Sequence, residues 1–384
     1  MSYKVLYLME FPIDLPGGAQ MSTQTLCEGL SGTEFEPVVA CPALLHTKQE
    51  DLPFRVTEFC SDENREGNKI KRISNFIHRI GSFRKVIRAE KPDIIHIQMS
   101  ESLITFGFLR CLGMFSKIPF VYTDRSLYFG YRIHSMTCIK AVLKHAARMI
   151  CTTQFNKNLW LEHSKFDRID VISNTISTAF TPYDAEKRKK LRDEAGLEEN
   201  DFVIGFAGRI SEEKDWPFVK ELVESFCEKD IRFKVALVIS VYEEQDLAIV
   251  ADLKNSISGM IGDENLIYMQ DLSQQEIADY YYLVDIFVMS SVFESFGKAA
   301  VEAMSRRCAV VSTSVGGLTE VVGKKENLYT KEKYKQCADR IYKLYHDKAE
   351  LERDKEFFYQ RYMDNYTREI CLQKHVRLYK EILL

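Results

Sequence analysis

This sequence predicts two α/β domains, each built on a doubly wound parallel sheet, and three observations carry the prediction. Short runs rich in Val and Ile alternate with longer amphipathic segments along the whole chain, the pattern of βαβ units. The runs are apolar at consecutive positions, as strands covered on both faces are. The chain has 384 residues, which suggests about two domains at roughly 100–200 residues each.

The elements follow in order. Strands are expected over 5–9, 38–41, 94–98, 120–123, 149–152 and 170–172, then over 203–207, 234–240, 266–269, 286–289 and 309–313. Helix-length stretches such as 19–30, 215–228 and 299–306 lie between them. The alternation breaks once, at 182–200 (PYDAEKRKKLRDEAGLEEN), which is highly charged and poor in large apolar residues. The strand FVIGFAG follows at once. The domain boundary is placed just ahead of the charged segment, which gives domains over 1–176 and 177–364. One solvated helix inside a single domain is the plainer alternative. Beyond 351 the chain reads as charged helix, with Phe357, Tyr359, Tyr362 and Tyr366 at helical spacing.

Composition narrows the class. With 46% hydrophobic residues and a net charge of −4, the chain can bury enough apolar surface to fold. A pI near 6.1 argues against a dedicated nucleic-acid binder. The longest apolar stretch, 102–115, is interrupted by Arg110 and is too short for a bilayer span. The start MSYKVLYLMEF lacks the cationic beginning and small-residue cleavage site of a signal peptide, and reads as a strand. Ten cysteines occur without a CxxC pair. That suggests reduced, mostly buried thiols and a cytoplasmic location.

The common nucleotide fingerprints are missing: no GxGxxG, no GxxxxGK[ST], and no Asp-x-Asp to hold a divalent cation on a diphosphate. Three features remain. Pro16-Gly17-Gly18-Ala19-Gln20 follows the first strand and opens a helix; its amides suit an anion, though a tight packing turn explains it equally well. Gly208-Arg209-Ile210-Ser211-Glu212-Glu213-Lys214-Asp215 follows the strand at 203–207. Ligands bind at such strand ends, and Arg209 and Lys214 suit a diphosphate; two surface cations are the plainer account. The most specific feature is 290–304, SSVFESFGKAAVEAM, after the strand at 286–289. It places Gly297 and Lys298 at a helix N-terminus, with amides free for a phosphate. Glu294 and Glu302 lie eight residues apart, about 12 Å if both lay on one helix. That is too far for a glycosidase pair and suits two anchors on one elongated ligand. A later loop, Ser314 to Glu320, adds the pair Gly316-Gly317.

These features together resemble the retaining glycosyltransferases of family 4, which have the GT-B fold of two Rossmann-like domains facing across a cleft. The segments DIIHIQ, VISNTIS, GFAGRISEEKD, SSVFESFGKAAVEAM and STSVGGLTEVV fall in the family's order. The resemblance implies a nucleoside-diphosphate sugar as donor, with UDP the expected nucleotide, and no active-site metal. It matches Arg209 and Lys214 to the residues that neutralise the diphosphate, and Glu294 to the contact with the donor sugar. Phe296, Gly297 and Lys298 match the loop whose amides meet sugar and phosphate. Glu302 matches the ribose contact, and Gly17 and Gly18 match the N-terminal loop facing the diphosphate. The last helix, 365–384, is implied to return to the N-terminal domain.

Some positions depart from the family pattern. No histidine follows the strand at 120–123, and Arg125 is the candidate for its place. Arg307 and Ala309 stand where Gly and Pro are usual, and Thr175 and Ser177 where Gly and Asp are usual. His96 is read as a packed structural group. Tyr122, Tyr128, Phe129 and Tyr131 are read either as acceptor contacts or as core. The segment 68–91 is strongly basic, with Ile and Phe at helical spacing; it is read equally as a peripheral contact with anionic membrane at the inner face of the plasma membrane or as a solvated helix face. The resulting expectation is a metal-independent retaining glycosyltransferase acting on a glycan or lipid-linked acceptor in bacterial surface polysaccharide biosynthesis. The alternative is a catalytically silent partner subunit of the same fold that binds glycan or protein.

Overall fold

The computed structural model describes residues 2–15, 17–59, 69–330, 332 and 334–384. Pro16 and Asn68 therefore lie outside the described residues. The chain divides into two compact units, Met1–Thr175 with Arg368–Leu384, and Ile176–Thr367.

The first unit holds a seven-stranded parallel sheet. Its strands are β1 (Tyr3–Leu8), β2 (Phe35–Cys41), β3 (Arg55–Glu58), β4 (Ile94–Ile97), β5 (Phe120–Asp124), β6 (Arg148–Cys151) and β7 (Ile169–Val171). The order is β3-β2-β1-β4-β5-β6-β7. Its helices are α1 (Gly18–Leu30), α2 (Lys69–Glu90), α3 (Ser100–Cys111), α4 (Ile133–Leu143) and α5 (Gln154–His163). Strand periodicity sorts the core into two layers. Leu6 and Leu8 face a layer with Phe83 of α2, Phe106 of α3, Ile139 of α4 and Trp160 of α5. Val5 and Tyr7 face the opposite layer, with Leu26 and Leu30 of α1.

The second unit holds a six-stranded parallel sheet. Its strands are β8 (Val203–Arg209), β9 (Lys234–Ser240), β10 (Leu266–Gln270), β11 (Ile286–Met289), β12 (Ala309–Thr313) and β13 (Leu328–Tyr329), in the order β10-β9-β8-β11-β12-β13. Its helices are α6 (Ala185–Glu194), α7 (Trp216–Cys227), α8 (Leu247–Ile261), α9 (Gln274–Tyr280), α10 (Lys298–Ser305), α11 (Leu318–Val322), α12 (Tyr334–His346) and α13 (Lys348–Asn365). The last helix, α14 (Arg368–Leu383), belongs to the first unit. It packs along α1 and places the Tyr379 hydroxyl 2.7 Å from that of Tyr7 and 2.7 Å from Nδ1 of His96.

Each sheet therefore reverses its winding direction once, between β1 and β4 and between β8 and β11. The carboxyl ends of the strands at such a reversal open a crevice where ligands sit. Arg209 ends β8, and the loops after β8 and β11 carry Lys214 and Glu294, so the second reversal falls at the motif residues.

The charged segment expected at the domain boundary forms α6, and its arginines dock it. Asp184 caps the helix through the amides of Glu186 and Lys187. Arg188 and Arg192 reach Asp285 at 2.8 and 3.4 Å, joined by Lys355 at 3.0 Å. Burial alone would raise the Asp285 carboxyl; Lys355, Arg188, Arg192 and the Val203 amide outweigh it and hold the carboxyl low. Arg307, at a position where glycine was expected from the resemblance, adopts a left-handed backbone (φ 59°). Its guanidinium lies over the rings of Tyr183 and Tyr359, which keeps it in place.

Candidate functional site

The loop after β8 is built around a lysine that folds back. Glu212–Lys214 forms a short 3-10 turn, Asp215 is left-handed (φ 47°), and α7 starts at Trp216. Gly208 leaves room for the returning stem: a Cβ there would sit 3.3 Å from Cγ of Lys214. The ammonium of Lys214 donates to Glu294 Oε2 at 3.0 Å and to Ser291 Oγ at 3.3 Å. The backbones of the two loops are stitched together as well. Ser290 Oγ donates to the Lys214 carbonyl at 2.5 Å, and the Val292 amide to the Glu213 carbonyl at 2.9 Å.

Arg209 does not share a partner with Lys214. Its guanidinium is exposed and pairs with Glu213, four residues along the chain, at 2.9 Å. The two cations read as converging on one phosphate are thus held by different carboxylates.

The loop after β11 ends in a left-handed Gly297 (φ 97°) that caps α10. A Cβ at Gly297 would lie 2.3 Å from Cδ2 of Leu318, so both backbone angle and space require glycine. Gly317 packs against the same turn: a Cβ there would meet the Ser295 carbonyl oxygen at 2.2 Å, and its amide donates to the Glu294 carbonyl at 3.0 Å. The second glycine pair thus fixes the backbone that presents Glu294.

Glu294 lies in this turn ahead of α10, while Glu302 lies on the helix. The one-helix spacing of about 12 Å therefore does not describe the pair. Glu302 is buried, 3.4 Å from Nζ of Lys298, and accepts from the Tyr281 hydroxyl at 3.2 Å. Phe296 is buried edge-on against Tyr366 with ring centres 5.8 Å apart. Its side chain anchors the turn, and only its backbone is available to a ligand.

In the first unit Gly17 caps α1 in an extended conformation and Gly18 opens the helix. Space around Gly18 is open: a Cβ at this position would meet nothing within 4 Å. Arg125 follows β5. Its Nη2 donates to Gln98 Oε1 at 2.5 Å, and its Nη1 to Asn174 Oδ1. Burial lowers the guanidinium to about 10.

His96 has both ring nitrogens occupied, by the Tyr379 hydroxyl and by Thr123 Oγ1 at 2.7 Å each. Burial, then His375 and Arg125, push its pKa well down. It is a packed structural group. Tyr122 is buried and hydrogen-bonded to Tyr131, which donates to buried Asp124 alongside Trp160 and Asn156. Tyr128 is buried too, whereas Phe129 is exposed. Among the described residues no group of three or more His, Cys, Asp or Glu is placed to hold a metal ion, and no helix is long and apolar enough to cross a membrane.

Sequence reasoning did not single out Ser291, Tyr281 or Glu213. Ser291 and Glu213 lie inside the quoted motifs; Ser291 accepts from Lys214, 77 residues away in sequence, whereas Glu213 pairs with Arg209 of its own motif. Tyr281 carried no signal of its own.

Two Rossmann-like units, each on a parallel sheet that reverses its winding once, have the GT-B architecture, and comparison with known proteins agrees. Residues 16–180 match the model for Glycosyltransferase Family 4, and residues 187–361 the model for glycosyl transferases group 1. The chain belongs to glycosyltransferase family 4. It is 29% identical over 215 residues to a D-inositol 3-phosphate glycosyltransferase of Arthrobacter sp. (strain FB24), covering 54% of this chain and 49% of that protein. It is 26% identical over 261 residues to the phosphatidylinositol N-acetylglucosaminyltransferase GPI3 subunit of Saccharomyces cerevisiae (strain YJM789), covering 65% and 54%. The chain thus spans about half the length of these curated relatives. The crystal structure of HepE from Anabaena in complex with UDP and glucose superposes with a TM-score of 0.79 at 17% identity, covering 98% of this chain and 99% of that one.

Proposed function

We propose that the chain is a retaining, metal-independent glycosyltransferase that moves a sugar from a nucleoside diphosphate, UDP foremost, to a glycan or lipid-linked acceptor. Bacterial surface polysaccharide assembly is the setting, with a cytoplasmic location. The observation that carries this reading is the glycine-built turn of the second unit. It holds Glu294 beside Lys214 at 3.0 Å and caps the amino end of α10 with Gly297.

The chemistry follows from the charges. Cleaving the sugar–phosphate bond puts negative charge on the departing diphosphate and positive character on the ring. Lys214, Arg209 and the α10 N-terminus supply fixed positive potential for the first, a task an Asp-x-Asp site gives to a metal ion. Lys214 then exchanges its Glu294 partner for phosphate oxygens, and Glu294 turns to a sugar hydroxyl. Lys298 and the amides of Phe296 and Gly297 meet phosphate and sugar, and Glu302 takes the ribose. In the other unit the open space at Gly18 leaves α1 amides accessible to an anion, with Gly17 capping that helix under the Gln20 side chain, and Arg125 stands in the position of the absent histidine. Support for a phosphorylated or lipid acceptor comes from the names of the curated relatives, which include an inositol phosphate and a phosphatidylinositol.

The test is incubation with UDP-sugars in EDTA, with and without candidate acceptors, following free UDP and the anomeric signals of the product. Acceptor-dependent UDP release with the donor's anomeric configuration kept supports the proposal. An inverted product, or activity only on adding a divalent metal, contradicts it. Donor binding without transfer or hydrolysis would point to the silent-subunit alternative.

A further inference from the structure

We propose that the outer face of α2, α3 and α4 docks on a lipid bilayer rich in anionic headgroups. This goes beyond the transfer reaction and does not depend on it.

Charge is strongly segregated in this chain. Residues 69–148 hold 15 Lys and Arg against 4 Asp and Glu, a balance of +11; since the whole chain is −4, the remainder carries −15. The four acids of this stretch are engaged, as are Arg79, Arg125 and Arg148 among its cations. Glu90 pairs with Arg55 and lies near Lys4, and Asp93 accepts the Lys4 amide. Glu101 pairs with Arg79 at 2.8 Å, and Asp124 is buried among neutral donors.

The same face exposes large apolar side chains. The three helices pack side by side on one layer of the sheet, and the rings of Phe76 and Phe108 meet edge-on between α2 and α3. Their buried stripes face that core. On the solvent side Ile133 is 85% exposed, Leu112 62%, Ile77 59% and Phe108 44%. Exposed Arg84, Lys85 and Arg88 continue the α2 stripe, and Arg132 and Lys144 flank α4. Apolar side chains ringed by cations are what a bilayer interface selects: the first enter the acyl boundary while the second meet anionic headgroups. A second copy of the chain fits poorly, because two such faces would meet with like charge.

The experiment is co-sedimentation of the full chain with phosphatidylcholine vesicles, with and without phosphatidylglycerol, at low and high salt. The wild type should bind the phosphatidylglycerol vesicles at low salt and lose most of that binding at high salt. Lys85→Glu with Arg88→Glu should bind at least about tenfold more weakly, since each cation contributes roughly 1 kcal/mol near such a surface, and Leu112→Asp with Ile133→Asp should also bind at least about tenfold more weakly, since it withdraws two apolar side chains from the acyl boundary. These side chains are exposed, so circular dichroism and stabilisation by UDP should match wild type. Absence of binding to anionic vesicles at low salt, equal binding to phosphatidylcholine alone, or variants that bind like wild type would overturn the proposal. So would self-association through this face in sedimentation velocity that both variants abolish. Loss of UDP stabilisation in the wild type bears only on the donor site, so the two readings fail separately.

Discussion

Replacing Lys214 by Met separates the catalytic account from a merely structural one. At 3.0 Å the gross attraction between Lys214 and Glu294 is about 5 kcal/mol at an effective dielectric of 20. Both side chains keep about a fifth of their exposure, so desolvation and solvent screening cut the net contribution to about 1 kcal/mol. In a unit of this size that lowers Tm by about 2–4 °C. Met retains the stem beside Gly208 and adds no clash. Removing a fixed cation from a developing anion, by contrast, costs about 10²–10³ in turnover. The assay is acceptor-dependent UDP release, read beside a thermal melt of the same preparation. A variant that melts within a few degrees of wild type but turns over at least about a hundredfold more slowly fits the account. One that melts lower yet transfers sugar at nearly the wild-type rate refutes it.

Three further outcomes follow from the packing. Gly297→Ala should cost about 2–3 kcal/mol, because an alanine must hold φ near 97° and its Cβ meets Leu318 at 2.3 Å; urea unfolding measures this, and donor affinity should fall with it. Asp285→Asn leaves Arg188, Arg192 and Lys355 around a neutral group and should destabilise the chain by about 3–5 kcal/mol in the same assay. Burial lowers His375 from an ordinary 6.5 to about 4. The unfolded chain therefore binds the extra proton between those values, so this contribution is complete above about 6.5 and is lost as pH falls toward 4. At 2.303RT per pH unit it amounts to about 3 kcal/mol. His375→Gln should flatten that part of the stability–pH curve, and an unchanged curve would show that the histidine is not the source.

Much of the fold was legible because parallel strands buried on both faces leave continuous apolar runs. The runs at 234–240, 286–289 and 309–313 coincide with β9, β11 and β12. β3 escaped notice because its sequence, RVTE, lies at a sheet edge and is half exposed, and β13 because two residues carry no period. The charged α6 gave no apolar signal, since its docking rests on arginines reaching one buried aspartate. At the candidate site the residue types were legible in the motif, but their partners were not. Nothing in the order of residues says that Arg209 turns to Glu213 while Lys214 turns to Glu294, or that Gly317 holds the Glu294 turn from another loop.

The most direct measurement is a melting curve of the full chain in EDTA with UDP, GDP, ADP and their sugars, repeated for Lys214→Met and Arg209→Ala. The account predicts that at least one of these nucleotides stabilises the wild type, by about 2.7 kcal/mol at a hundred times its Kd, and that both variants lose most of that gain. If no nucleoside diphosphate moves the wild-type curve, or the variants respond as fully as wild type, the phosphate cradle assigned to the second unit is wrong.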